Sequence, residues 1–81
     1  MLEKGWVIRS VAGWDKGKLM LVVDVIENGA LVSDGKDRPL ERPKLKNVRH
    51  VEVTEYKIDT NEAVSNRRLR KILRDFDADV H

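Results

Sequence analysis

The 81-residue chain contains no cysteine, two prolines, and only two tryptophans, one tyrosine and one phenylalanine. Without cysteine, neither a disulfide framework nor a thiolate zinc site can support the fold. The longest apolar run, residues 19–23, is far shorter than the roughly 20 residues of a membrane-spanning helix, and no signal-peptide pattern opens the sequence. These absences predict a small, single-domain cytoplasmic protein without membrane association, whose apolar core alone holds the fold.

The sequence also has few of the patterns that catalysis requires. His50 and His81 are far apart, and neither has a Cys, His or carboxylate at metal-ligand spacing. Ser10, Ser33 and Ser65 lack the glycines of a nucleophile elbow, and no P-loop is present. We therefore expect no enzymatic activity, no catalytic residue, no metal and no cofactor. His50 is expected to be a strand residue on the rim of the fold.

Positive charge is concentrated in two clusters, although the net charge is only +2. The first cluster contains Lys36, Arg38, Arg42, Lys44, Lys46 and Arg49 against Asp37 and Glu41. The second has no acid and contains Arg67, Arg68, Arg70, Lys71 and Arg74. Segregated charge creates a directional field, so the clusters indicate a polyanionic partner. The alternative is a highly charged but merely solvated surface.

Patterns of β-branched, aromatic and alternating apolar residues predict five short strands. They cover residues 5–12, 18–27, 30–33, 38–42 and 48–53. In the second strand, the predicted core face consists of Leu19, Leu21, Val23 and Val25. The opposite face is also apolar, with Met20, Val22 and Ile26, and we expect a further element to cover it.

Turn residues separate the predicted strands. Gly13 and Gly17 allow positive φ in the loop before the second strand. Asn28-Gly29 predicts a type I′ hairpin, in which both central residues have positive φ. Pro39 and Pro43 cannot donate to a ladder, so the fourth strand is expected at an edge of the sheet. Gly13, Gly17, Asn28 and Gly29 are therefore the predicted structural turn residues.

Residues 57–81 are predicted to form a basic amphipathic helix and an acidic tail, packed in one domain with residues 1–56. Asp59 or Thr60 could cap the helix, and Asp59 with Glu62 has the spacing of a capping box. The apolar stripe consists of Leu69, Ile72, Leu73 and Phe76, and the nearly opposite basic stripe of Arg67, Arg70, Lys71 and Arg74. Residues 75–81 are expected to fray. The apolar stripe could dock on this protein's own barrel, on a partner protein or, less favourably, on a membrane surface.

The order of the turns and the second strand resembles a known family. Residues 12–18 read Ala-Gly-Trp-Asp-Lys-Gly-Lys, followed by the apolar run 19–23 and a turn at Asn28-Gly29. This stretch resembles the KOW motif, and in particular bacterial KOW proteins related to large-subunit ribosomal proteins of archaea and eukaryotes. The resemblance covers residues 5–53. It implies a mainly β, SH3-like five-stranded barrel, here with a C-terminal α-helix, and RNA contacts at Lys16, Gly17 and Lys18.

Trp14 departs from the family pattern, in which a basic or polar residue is more common. An exposed indole could stack on an unpaired base. Alternatively, Trp14 could pack over the barrel end against Trp6 or the helix. Lys44 and Lys46 alternate along an extended segment and could track a phosphate backbone, or could instead block edge-to-edge aggregation.

These observations predict a monomeric, ribosome-associated RNA-binding protein that recognises ribosomal or other structured RNA, with ribosomal proteins as possible partners. The candidate RNA-binding residues are Trp14, Lys16, Lys18, Lys36, Arg38, Arg42, Lys44, Lys46, Arg49, Arg67, Arg70, Lys71 and Arg74. The alternative is a protein-interaction module that docks on a ribosomal or transcription partner through its C-terminal helix.

Overall fold

A computed structural model of the protein describes residues 2–59, 61 and 65–79. The elements are β1 (Trp6–Ser10), β2 (Leu19–Ile26), β3 (Gly29–Ser33), β4 (Lys44–Asn47), a 3-10 turn (Val48–His50), β5 (Val51–Lys57) and α1 (Asn66–Asp79). The five strands form one antiparallel sheet in the order β4-β3-β2-β1-β5. The sheet bends like an SH3-like barrel without closing, which confirms the mainly β fold class with a C-terminal helix. No helix in these described ranges is long and apolar enough to cross a membrane.

The sheet is apolar on both faces because β2 is buried on both sides. One face holds a cluster of Ile8, Met20, Val22, Ala30 and Val32. The other face contributes Val7, Leu19 and Leu21 to a cluster that also contains Ile58, Leu69 and Leu73. Since Leu69 and Leu73 belong to α1, the helix docks on this protein's own sheet.

The helix covers the opposite face of β2 from the one expected. We expected a further element over Met20, Val22 and Ile26, but the helix packs on Leu19 and Leu21. The bend of the sheet explains the difference: Met20 and Val22 are enclosed by the strands themselves, so the Leu19 face is the one that needs a cover. Ile26 lies beyond both clusters and is exposed.

A bulge at Val23 changes which side chains of β2 face the core. The register shifts between Val22 and Asp24, so that Val25 pairs with Ala30. An irregularity of this kind inserts one residue and changes the face of those that follow. The prediction that Val25 lies on the core face with Leu19 and Leu21 is therefore wrong, and Val25 is 39% exposed.

The β2–β3 hairpin also differs from the prediction. Ile26 pairs with Gly29, so the central turn residues are Glu27 and Asn28 rather than Asn28 and Gly29. Only Asn28 has positive φ, at 63°, so the turn is not type I′, which needs positive φ at both central positions. Gly29 is required for another reason: a Cβ there would lie 2.9 Å from the carbonyl oxygen of Lys46.

The predicted fourth strand at residues 38–42 is wrong, because this segment forms turns and the edge strand is Lys44–Asn47. The carboxylate of Asp34 holds the turn by accepting hydrogen bonds from the backbone N–H groups of Lys36 and Arg38. The fifth strand begins later than predicted, at Val51. His50 lies in the preceding 3-10 turn rather than in a strand.

Helix α1 begins and ends at other residues than expected. The Ser65 hydroxyl accepts a hydrogen bond from the Arg68 N–H (3.1 Å), which makes Ser65 the cap. Asp59 instead accepts from the Asn61 N–H, whereas Thr60 and Glu62 lie outside the described residues. The helix continues to Asp79, so the expected fraying of residues 75–79 is wrong; residues 80 and 81 lie outside the described part.

Two contacts hold the last turns of α1. Phe76 stacks on Tyr56 of β5, with ring centroids 4.4 Å apart and planes 6° from parallel. Asp77 pairs with Arg9 of β1 at 3.3 Å. Tertiary contact thus overrides the unfavourable position of acids at a helix C-terminus.

Candidate nucleic-acid interface

The loop between β1 and β2, residues 11–18, is called here the glycine loop. Gly13 and Gly17 have φ of 89° and 92°, as the sequence predicted. The Gly17 N–H donates to the carbonyl oxygen of Ser10 at 2.8 Å, and the Lys18 N–H to that of Asp15 at 3.0 Å. The loop is therefore tight, and its geometry presents Trp14 at the tip.

A buried ion pair fixes the glycine loop to β4. Lys46 Nζ donates to Asp15 Oδ1 at 2.7 Å and to the carbonyl oxygen of Ala12 at 2.9 Å. The Ser10 hydroxyl donates to the same Asp15 oxygen at 2.8 Å. Asp15 and Lys46 are only 1% and 5% exposed. Lys46 therefore cannot reach outward as the predicted ladder of Lys44 and Lys46 required.

The ionised form of Asp15 is favoured in this environment. Burial alone would raise the pKa of its carboxyl group. Hydrogen bonds from Lys46 and Ser10, together with the positive charges of Lys46 and Lys44, outweigh burial and lower the pKa below its ordinary value. The loop is thus held by a charged pair rather than by a neutral acid.

Three cations surround the exposed ring of Trp14, and we call these four residues the tryptophan cluster. Lys18 Nζ lies 5.0 Å from the ring centroid, Arg38 Cζ 5.3 Å and Lys44 Nζ 5.5 Å. Trp14 is 60% exposed, so the alternative of inward packing is wrong. The cluster combines an accessible aromatic face with positive charge, at a distance typical of cation–π contact.

The tryptophan cluster brings together residues from three segments of the chain. Lys18 comes from the glycine loop, Arg38 from the turn after β3 and Lys44 from β4. In the part of the chain that the structure describes, Arg38 Nε and Asp15 Oδ2 are buried without a hydrogen-bond partner. Arg38 itself is positioned through its carbonyl oxygen, which accepts from the Ser33 hydroxyl at 2.7 Å.

Lys18 also pairs with Asp37 on the surface. Its Nζ donates to Asp37 Oδ2 at 2.9 Å, and both side chains are partly exposed. This hydrogen bond raises the pKa of Lys18 and lowers that of Asp37. An exposed pair of this kind contributes little to stability because water and salt screen its charges, so an incoming anion can replace Asp37.

Lys18 links the tryptophan cluster to the C-terminal helix. A groove of about 320 Å³ lies between α1 and the turn after β3, and its cationic lining residues are Lys18, Lys36, Arg70 and Arg74. We call it the helix groove. The structure thus joins cations of both sequence clusters to the glycine loop.

The remaining candidates lie elsewhere on the surface. Lys16, Arg42 and Arg49 are exposed, but they are not among the residues that contact Trp14 or line the helix groove. The outer face of α1 carries a larger basic depression of about 650 Å³, which shares Arg70 and Arg74 with the helix groove. It is lined by Ser65, Arg67, Arg68, Arg70, Lys71 and Arg74.

Two residues that position the site carried no functional prediction. Asp15 reads as an ordinary polar turn residue, and its partner Lys46 is 31 positions away. Asn66 accepts a hydrogen bond from the Leu40 N–H at 2.7 Å. Its side-chain amide also donates to the Glu41 carboxylate at 2.6 Å, and this second hydrogen bond contributes to a lowered pKa of Glu41. No local sequence pattern indicates either role, because both depend on contacts between segments that are distant in the sequence.

No family model matches the chain. Across residues 2–59, 61 and 65–79, the structure contains no group of three or more His, Cys, Asp or Glu side chains that could hold a metal ion.

Proposed function

We propose that this protein binds RNA, with the tryptophan cluster as the central contact. The observation that carries the proposal is the exposed Trp14 ring with three cations within 5.0–5.5 Å of its centroid. A base that stacks on an aromatic ring contributes roughly 1–3 kcal/mol, and adjacent cations attract its phosphates. Bases are available for stacking in the single-stranded loops and bulges of structured RNA.

The resemblance to KOW proteins supports the same role. In that family the glycine loop contacts RNA, and here the loop presents Trp14, Lys16 and Lys18 beside further cations. We therefore infer a KOW-type binding protein rather than an enzyme. Ribosomal RNA in the cytoplasm is the partner that the resemblance favours.

The alternative, a module that binds a protein through the helix, receives less support. Its apolar stripe was the natural docking surface, but Leu69 and Leu73 are buried against β2. The exposed face of α1 is basic, with Arg67, Lys71 and Arg74. A basic face is better suited to binding a polyanion than to docking in an apolar groove of a partner protein.

The test is titration of a fluorescein-labelled hexauridylate, followed by fluorescence anisotropy at low and high salt. Trp14→Ala is expected to weaken binding by about 1–3 kcal/mol, and Trp14→Phe to retain most of the affinity. Trp6→Phe is the control, because Trp6 lies beside Lys57 at the other end of β1. Absence of binding by the wild-type protein, or equal affinity of Trp14→Ala and wild type, would refute the proposal. Sedimentation with ribosomal subunits then tests the ribosomal assignment.

A further inference from the structure

The helix groove has an apolar floor and a cationic rim. Leu19 of β2 and Leu73 of α1 form the floor, whereas Lys18, Lys36, Arg70 and Arg74 supply the rim. Its volume of about 320 Å³ is at the lower end of the roughly 300–1,000 Å³ of small-molecule sites. A ligand with an apolar or aromatic body and a negative group at its edge matches this arrangement.

The two walls of the groove are fixed to each other. Arg70 Nη1 donates to the carbonyl oxygen of Gly35 at 2.7 Å. The Gly35 Cα lies so close to α1 that a Cβ there would be 2.6 Å from the carbonyl oxygen of Asn66. The groove is therefore preformed, and a ligand does not have to order its walls on binding.

The acids at the groove already have partners within the protein. Asp34 Oδ1 accepts from the N–H groups of Lys36 (2.8 Å) and Arg38 (2.9 Å). Asp77 pairs with Arg9 at 3.3 Å. Four cationic side chains stand against these two acids and against Asp37, which pairs with Lys18 at 2.9 Å, so the balance of charge is still positive and favours an anionic ligand.

Lys18 belongs to both the helix groove and the tryptophan cluster. It lines the groove, and its Nζ lies 5.0 Å from the Trp14 ring centroid. We propose that the helix groove is a second nucleotide subsite, which binds the nucleotide next to the base stacked on Trp14. The floor takes the base or ribose, and the rim takes the phosphate. This inference rests on the proposed function.

A subsite of this kind accepts only one class of RNA. A base that stacks on Trp14 must be unstacked from the neighbouring bases of the RNA. The adjacent nucleotide must turn into the helix groove, which is about the size of one small ligand. A duplex permits neither without unpairing, which costs free energy for every base that leaves the stack. The ligand is therefore an unpaired segment of RNA, and a fully paired helix binds only through its phosphates.

Two double variants with the same charge change test the subsite. Lys36→Ala/Arg74→Ala removes two cations of the groove rim. The control variant Lys4→Ala/Lys57→Ala removes two exposed cations near the other end of β1 that line neither the helix groove nor the outer depression of α1. With labelled hexauridylate, we expect at least about a tenfold loss of affinity for the groove variant and at most about threefold for the control. Wild type should bind hexauridylate at least about tenfold more tightly than a blunt RNA duplex of the same strand length.

A second measurement does not depend on any variant. In the wild-type protein, the methyl resonances of Leu19 and Leu73 should shift when hexauridylate is added, since these side chains form the floor. Equal losses in both double variants, unshifted methyl resonances, or duplex binding as tight as that of hexauridylate would overturn the inference. Failure of the proposed function has a different signature: wild type does not bind, or binding does not depend on Trp14.

Discussion

Asp15 and Lys46 form a buried ion pair, with Nζ and Oδ1 2.7 Å apart, between the tip of the glycine loop and edge strand β4. Because Trp14 precedes Asp15 in the chain, this pair determines where the exposed indole lies. The cations around the indole come from the loop, from β4 and from the turn after β3. The pair therefore connects the stability of the fold to the geometry of the proposed binding site.

Lys46→Met should destabilise the protein strongly. It leaves the Asp15 carboxylate buried without its cation, and breaking a buried pair in this way costs about 3–5 kcal/mol. Lys44→Met is the matched control, because Lys44 lies two residues away on the same strand, is partly exposed and contacts Trp14. Its cost should be below about 1 kcal/mol. Urea unfolding of both variants measures the difference, and equal midpoints would contradict a stabilising role of the pair.

Stability should fall in acid partly because of Asp15. Its pKa is lowered in the folded protein from the ordinary value of 3.8. Its contribution is therefore fully present above about pH 4 and is lost as pH falls through the folded-state pKa. The unfolding free energy of Asp15→Asn should decline less steeply below pH 4 than that of wild type. Asp37→Asn is the comparison at an exposed pair, and an Asp15→Asn profile parallel to wild type would exclude the linkage.

The contact between the turn after β3 and α1 can be measured with two glycines. Gly35 and Gly17 both have positive φ, 76° and 92°, so alanine should strain each backbone by about 1–2 kcal/mol. At Gly17 a Cβ meets nothing within 4 Å, but at Gly35 it would lie 2.6 Å from the Asn66 carbonyl oxygen. Gly35→Ala should therefore cost about 1–3 kcal/mol more than Gly17→Ala. Thermal unfolding measures the loss of stability in both variants. Equal losses would mean that the turn after β3 is not in close contact with α1.

Much of the fold was predictable because its signals are local. The two glycines of the loop, the alternation in β2 and the stripe containing Leu69 and Leu73 depend only on residues close in sequence. The bulge at Val23 was not predictable, because it depends on how β2 pairs with β3. The same is true of the face to which the helix docks, which depends on the bend of the whole sheet.

The candidate site was predictable in composition but not in arrangement. Trp14, Lys18 and the basic segments stand out in the sequence, and the structure brings several of them together. Lys46 looked equivalent to Lys44, since a two-residue spacing places both on the same side of a strand. That side faces the glycine loop, where Asp15 holds Lys46 in the interior. Charge alone did not distinguish a cation that stabilises the fold from one that is available to a ligand.

The two lysines that flank Gly17 should contribute differently to RNA binding. Lys18 contacts Trp14 and lines the helix groove, whereas Lys16 is exposed and belongs to neither set. We expect Lys18→Ala to lose more affinity for hexauridylate than Lys16→Ala. Each lost phosphate contact should also reduce the slope of log affinity against log salt by about 0.7.

Lys57→Ala is the matched control for these two variants. Lys57 lies 5.4 Å from the ring centroid of Trp6, so it has the same lysine–tryptophan geometry at the other end of β1. Its removal should leave both the affinity and the salt slope unchanged if binding depends on the tryptophan cluster. Anisotropy titrations of all three variants at several salt concentrations measure both quantities. A loss for Lys57→Ala as large as that for Lys18→Ala would mean that net charge, and not the position of Lys18 beside Trp14, governs binding.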